Sequence, residues 1–292
     1  MVALCYLRYW VNSKEIENVG ELVSGLRSYP NTTVSSGVLM DVDPFWSEVI
    51  SEASNSSTLS FQQMSTCINT YSSFVRFPSF VCNNLPKSEL NKLLESNRVI
   101  IDAIAGVSGK QNVLDASKEF TRGYYLLKHT EDAKVLFLVR DLPAVLNSTK
   151  KRLDMGEGLR FRGKNYKGAG ANFILIFAAA LFWLIGNLIG EFILRCFPLR
   201  VMRVKYESFC ESSLTNLEQI GEFLSVNLGD VSDAVKVGAD MNVGRGVGGN
   251  RLRFENKFRF DPGRGEVKPA SFYIRILSVF AWPLKVWSKF YR

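Results

Sequence analysis

The stretch AKVLFLVRDLP, residues 133–143, decides the fold. From Ala133 to Val139 it is apolar except for Lys134, with β-branched Val135 and Val139 around aromatic Phe137. A short apolar run of this kind, bounded by polar residues, reads as a strand buried in a parallel sheet. It ends on Arg140 and Asp141. Pro143 then suits the first turn of a helix, expected over residues 142–152. In open α/β sheets ligands bind beyond the carboxyl ends of the strands. The residues that follow Val139 are therefore functional candidates.

Working outward, RVMRVKY (residues 200–206) reads as a further strand ending in Tyr206-Glu207, and VLDA (113–116) is a shorter apolar run. Residues 120–128 have a helical pattern. Residues 214–224 form an amphipathic helix with Leu214, Leu217, Ile220, Gly221 and Leu224 on one face. A helix is expected to start after Pro86, with Ser88 as its cap, and residues 98–104 form another short apolar run. Residues 31–36 and 51–60, rich in Ser, Thr and Asn, read as loops or helix caps. Leu4, Leu7, Trp10 and Val11 stand at helical spacing, so the chain is expected to open in a helix. Strands alternating with helices give an α/β fold, a parallel sheet flanked by helices.

The 292 residues are read as one domain, 1–292. With 47% hydrophobic and 22% charged residues the composition is that of a globular protein. The net charge of +8 and pI near 9.2 favour anionic partners. Residues 150–167 concentrate that charge: Lys150, Lys151, Arg152, Arg160, Arg162, Lys164 and Lys167 face only Asp154 and Glu157. This run is a solvated loop or a surface for phosphates, sulfates or lipid headgroups. The sequence lacks the interleaved aromatic and basic pattern of a nucleic-acid platform. The five cysteines are odd in number and form no CxxC pair, which argues against a disulfide framework and a zinc site, and His129 is the only histidine.

Three stretches carry chemistry. Arg140 offers a fork of donors to a phosphate, with Ser148 two helical turns on; the plain alternative is a surface Arg-Asp pair. Tyr206-Glu207 closes the second strand, or is a half-buried Tyr beside a solvated Glu. VGGNRLRF (residues 247–254) combines freely rotating glycines with Asn250, Arg251 and Arg253, and can wrap a phosphate or simply be a basic loop.

Taken in order, these stretches resemble the sulfotransferase family. Asp115-Ala116-Ser117-Lys118 is similar to that family's Asp-x-Ser-Lys strand end, and Val19-Gly20-Glu21-Leu22 to its Gly-Glu motif. Residues 38–49, with Asp43-Pro44-Phe45-Trp46, look like the Cys-Pro-Phe-Trp stretch of the bacterial-type members, though without the cysteines. The resemblance runs from about Gly20 to Phe260. It implies a P-loop-NTPase-like fold and a sulfuryl transfer from 3′-phosphoadenosine 5′-phosphosulfate (PAPS), without a metal, to a hydroxyl acceptor. The lone histidine tilts the expected acceptor toward a carbohydrate or lipid-linked hydroxyl rather than a small phenol. The resemblance also implies Arg140 and Ser148 at the donor's 3′-phosphate, Tyr206 near the nucleotide, and Asn250, Arg251 and Arg253 in the loop closing over it. Glu21 corresponds to the carboxylate that serves as base in some members; an ordinary exposed carboxylate is the equal alternative.

One departure stands out. The family opens with a strand, a Pro-Arg-Ser-Gly-Thr-Thr-like loop that grips the 5′-phosphosulfate through backbone N–H groups, and a helix. No such loop precedes Gly20, and residues 106–110 (GVSGK), too short for a P-loop, read as a turn. The expectation is a fold whose first strand and loop are missing, through an incomplete N-terminus in preference to a divergent, inactive protein. A sheet without a central strand would lose many kcal/mol against a usual stability of about 5–15 kcal/mol.

Two apolar segments remain. Residues 171–190 carry no charge over a length that spans a bilayer. A span would part Arg140 from Tyr206, so the segment is read as a core or membrane-docking helix. Residues 272–287 are apolar but broken by Arg275, Pro283 and Lys285. They read as a C-terminal helix packed on the domain, with a place in a membrane interface as the alternative. A membrane surface is thus a secondary expected partner, and the protein is expected to be cytoplasmic or membrane-associated. The rival reading of the whole is an inactive, membrane-associated member of the fold.

Overall fold

The computed structural model describes residues 2–5, 15–155, 159–161, 164–166, 169–242, 244–247, 254, 257–265 and 272–281. In chain order the elements are β1 (Val2–Cys5), β2 (Ile16–Asn18), α1 (Leu22–Ser28), α2 (Pro44–Asn55), α3 (Phe61–Ser72), α4 (Phe77–Val81), α5 (Lys87–Ser108), β3 (Asn112–Asp115), α6 (Phe120–His129) and β4 (Ala133–Val139). There follow α7 (Leu142–Asp154), β5 (Leu159–Phe161), β6 (Lys164–Tyr166), α8 (Ala169–Cys196), β7 (Val201–Lys205), α9 (Tyr206–Glu211), α10 (Ser213–Leu224), α11 (Gly229–Val237), β8 (Asp240–Asn242), β9 (Lys257–Arg259) and α12 (Phe272–Leu277). The chain divides into two compact units. One comprises Met1–Leu138, Phe197–Arg203 and Ser212–Asp261; the other comprises Val139–Cys196, Val204–Glu211 and Pro262–Arg292.

The main sheet has the order β2-β3-β1-β4-β7, with β1 parallel to both β3 and β4 and β2 parallel to β3. The α/β expectation is met, and residues 133–139 are the strand their composition predicts. The opening of the chain corrects another expectation. Val2–Cys5 is not a helix but the middle strand, so the first strand thought missing is present. Of the helically spaced set only Leu4 falls in this strand; Leu7, Trp10 and Val11 lie outside the described residues. The place between β3 and β4 presents unpaired N–H and C=O groups from both sides, and β1 pairs with Val113–Asp115 on one side and Ala133–Leu136 on the other. The instability expected from an absent central strand loses its premise.

Other differences are local. Residues 98–104 lie inside the long α5. That helix begins at Lys87 after Pro86, one residue ahead of Ser88, which therefore is not its cap. Tyr206 opens α9 rather than closing β7. The Asp43-Pro44-Phe45-Trp46 stretch proves to be the start of α2: the Asp43 carboxylate accepts the Phe45 and Trp46 N–H groups, both at 3.2 Å, and Pro44 sits in the first turn. Phe45 and Trp46 are core residues, and the Trp46 indole donates to the Arg245 carbonyl at 3.0 Å. Ser60 caps α3 in a reciprocal box with Gln63.

In the first unit the core gathers Trp46, Met64, Ile68, Leu93, Ile100, Ile104 and Leu114, each with essentially no exposed surface. Each such side chain contributes on the order of 1.5–3 kcal/mol of burial. In the second unit Leu142, Leu146 and Leu153 of α7 pack with Leu175, Ile176 and Ala180 of α8 and with Ile274 and Leu277 of α12. The expected C-terminal helix is thus α12, followed by a 3-10 turn over Ser278–Ala281; residues 282–287 of the apolar segment lie outside the described residues.

Candidate functional site

Two groups of polar residues stand out, one in each unit. In the first unit, Asp115 ends β3 and Ser117 follows it. The first N–H groups of a helix have no partner within the helix. Here the Leu22 N–H donates to Asp115 Oδ1 at 3.1 Å, and the Val23 N–H donates to Ser117 Oγ at 2.9 Å. Ser117 is itself fixed by its own N–H, which donates to Asp115 Oδ1 at 2.8 Å. The Asp-x-Ser segment therefore caps α1 from a neighbouring strand. Glu21, the residue just before α1, is held in place by this capping.

The other Asp115 oxygen pairs with the guanidinium of Arg122, a residue with no exposed surface. The Arg122 Nε donates to Asn97 Oδ1 at 2.9 Å, and the Asn97 amide donates to the Tyr125 hydroxyl at 3.1 Å. Burial lowers the Arg122 pKa and raises that of Tyr125, whose largest opposing influence is Arg122 itself. No sequence pattern announces this buried network. The only signal is an arginine in the inward stripe of an amphipathic helix.

Glu21 is half-buried. Its carboxylate pairs with the Lys118 ammonium and accepts the Ser24 hydroxyl at 3.1 Å. A base and a cation thus stand side by side. Lys118 was quoted in the sequence only as part of the Asp-x-Ser-Lys match, and its pairing with Glu21 is what the sequence reading missed. Residues 244–247 approach the same strand end: the Arg245 and Val247 N–H groups donate to the Asn18 and Val19 carbonyls at 3.1 and 3.0 Å. Gly244 has φ +82°, and a Cβ there would lie 2.6 Å from the Asn18 oxygen. Asn250, Arg251 and Arg253, which follow this segment, lie outside the described residues.

In the second unit, Arg140 directly follows Val139. Its guanidinium carbon sits 4.7 Å from the centre of the Tyr206 ring, and its Nε is buried without a hydrogen-bond partner. Its carbonyl accepts the Trp183 indole N–H at 2.8 Å. Glu207 Oε1 accepts the Asp141 N–H at 3.1 Å. Burial pushes the Glu207 carboxyl above its ordinary range. The hydrogen bonds it accepts and the nearby Arg140 act the other way, while Asp141 adds to the rise. Ser148 lies on α7 with its side chain exposed. The structure thus brings Arg140 and Tyr206, two separate strand-end candidates, into contact. The fit of this group to a phosphate rests on one observation: a stacked, preoriented guanidinium with an unsatisfied buried donor.

Among the described residues, no group of three or more His, Cys, Asp or Glu side chains is arranged to hold a metal ion.

No protein-family model matches the sequence, and no curated protein matches it. Among solved structures, the chain is similar to the sulfotransferase domain from the curacin biosynthetic pathway, at 14% identity and a TM-score of 0.39, over 94% of this chain and 99% of that one. It is also similar to the sulfotransferase domain of the Synechococcus PCC 7002 olefin synthase, at 16% identity and a TM-score of 0.37, over 92% and 95%.

Proposed function

We propose that the chain is a PAPS-binding sulfotransferase acting on a hydroxyl acceptor of the carbohydrate or lipid-linked class. The observation that carries this reading is Arg140: a guanidinium beyond the end of a sheet strand, braced by Tyr206, with a buried donor left free for an anion. The ordered motifs around it, from the Gly-Glu pair to the Gly-Asn-x-x-Arg stretch, support the same family reading. When bound, PAPS would supply an activated sulfuryl group and a nucleotide leaving group.

The chain's own residues have these proposed roles. Arg140, with Ser148 further along α7, would hold the 3′-phosphate by charged hydrogen bonds. Tyr206 keeps the guanidinium flat and oriented. Glu21 would take the proton of the acceptor hydroxyl, and Lys118 would place positive charge where negative charge develops. Asn250, Arg251 and Arg253 would add donors to the nucleotide.

A second reading, nucleotide binding without transfer, is favoured by one specific feature. The stretch after β1, Tyr6 to Lys14, contains no glycine, so the backbone nest that grips a phosphosulfate in this family has no obvious source there. Incubation with sulfur-labelled PAPS and a panel of oligosaccharide and glycolipid acceptors separates the two. The first reading predicts label in an acceptor, lost in Glu21→Gln while nucleotide binding persists. Binding of PAPS with no label transferred to any acceptor supports the second.

A further inference from the structure

The outward face of α8 is used by none of this chemistry. The helix runs from Ala169 to Cys196, about 40 Å at 1.5 Å per residue. One stripe of it, Leu175, Ile176 and Ala180, is sealed against α7 and α12. The opposite stripe is not sealed: Phe173, Ile174, Phe177, Leu181 and Phe182 are between 40% and 67% exposed. At 100° per residue the first four fall within an arc of about 100°, with Phe182 further round at its flank. Of the Phe173–Cys196 segment that is apolar enough for a bilayer, only 22% is buried. A continuous apolar stripe of this kind on a protein surface marks an interaction site.

Geometry and charge say what covers it. Trp183, near the middle of α8, donates to the Arg140 carbonyl, and the Arg140 side chain lies over Tyr206. If α8 crossed a bilayer, its midpoint would carry this arginine into the hydrocarbon centre, where charge is expelled. The helix must instead lie along a surface. Lys151 and Arg152 are exposed at the end of α7, and Arg195 is exposed at the end of α8. Between the two helices the chain adds Arg160, Arg162, Lys164 and Lys167 against Glu157 alone. A Phe-rich apolar face with exposed Lys151, Arg152 and Arg195 at the ends of α7 and α8 is complementary to the interface of an anionic bilayer.

We propose that α8 docks the protein flat on an anionic membrane surface, with Phe173, Ile174, Phe177, Leu181 and Phe182 seated at the boundary between headgroups and acyl chains. The docking does not depend on the nucleotide chemistry.

The test is sedimentation of the full chain with vesicles of phosphatidylcholine containing phosphatidylglycerol, compared with phosphatidylcholine alone. The protein should pellet with the anionic vesicles, pellet less with the neutral ones, and be released by alkaline carbonate. The Phe177→Glu/Leu181→Glu double variant should bind at least about tenfold more weakly, with its helical circular dichroism unchanged. As a variant that keeps the apolar face, Phe177→Trp should gain fluorescence that brominated acyl chains quench. Wild-type protein left in the supernatant, or a double variant that binds as well as wild type, would overturn the proposal. So would retention after carbonate, which means a span. A vesicle-indifferent dimer that the double variant dissociates would give the face to a second copy of the chain and would equally overturn it.

Discussion

Arg140 shows how much one side chain can be asked to carry. Its guanidinium is braced by an aromatic ring and keeps one buried donor without a partner, a state that costs about 1–3 kcal/mol unless an anion arrives. Its neighbour Glu207 is perturbed as well. With its folded pKa raised by burial, the folded protein holds the Glu207 proton more tightly than the unfolded chain does. Its contribution to stability is then fully present below the ordinary glutamate pKa and is lost as pH rises through the raised value. Glu207→Gln keeps an acceptor for the Asp141 N–H and removes the charge. The variant should melt at a higher temperature than wild type near neutral pH and at the same temperature in acid, as thermal melts at several pH values will show. Equal melting temperatures at neutral pH would remove Glu207 from the balance. Asp115 belongs to the opposite category. Asp115→Ala would strand the fully buried Arg122 cation and uncap α1, a loss of about 3–5 kcal/mol readable in urea unfolding. A loss below about 1 kcal/mol would mean that water reaches the arginine.

At the scale of elements, the sequence is most legible where composition alone is decisive. The apolar run of β4, the amphipathic α10 and the charge-free α8 all follow from pattern and length. The middle strand β1 was not legible, because its conformation is set by the open edges of β3 and β4 and not by its own four residues. The interior of α5 was obscured for another reason: RVIIDAI read in isolation suits a strand as well as a turn of buried helix. The candidate site was legible in part. Arg140 and Tyr206 could each be singled out from strand-end logic, whereas the Lys118–Glu21 pair depends on how β3 and α1 meet in space. The approach of residues 244–247 to α1 explains Gly25, where a Cβ would come within 2.7 Å of the Val247 side chain. Gly25→Ala should therefore cost about 1–3 kcal/mol by overpacking, measured in urea. A neutral substitution would show that residues 244–247 yield easily.

The whole molecule divides its properties between its two compact units. The first holds the parallel sheet, the capped α1 and the paired Glu21 and Lys118; the second holds Arg140, the α7–α8–α12 core and the apolar face of α8. The net charge of +8 suits both an anionic nucleotide and an anionic membrane, so charge alone could not have separated the two partners. The two proposals differ in position: Arg140 is braced by Tyr206 at a strand end, and Lys151, Arg152 and Arg195 are exposed at the ends of α7 and α8. We propose that the Arg140 group receives the 3′-phosphate of the donor nucleotide. Calorimetric titration of the full chain with 3′-phosphoadenosine 5′-phosphate tests it most directly. The account predicts binding in the micromolar range, about −8 kcal/mol, weakened at least about tenfold by Arg140→Ala through loss of a charged hydrogen bond. A cooperatively folded chain that releases no heat with the nucleotide, or an Arg140→Ala variant that binds as tightly as wild type, would contradict it.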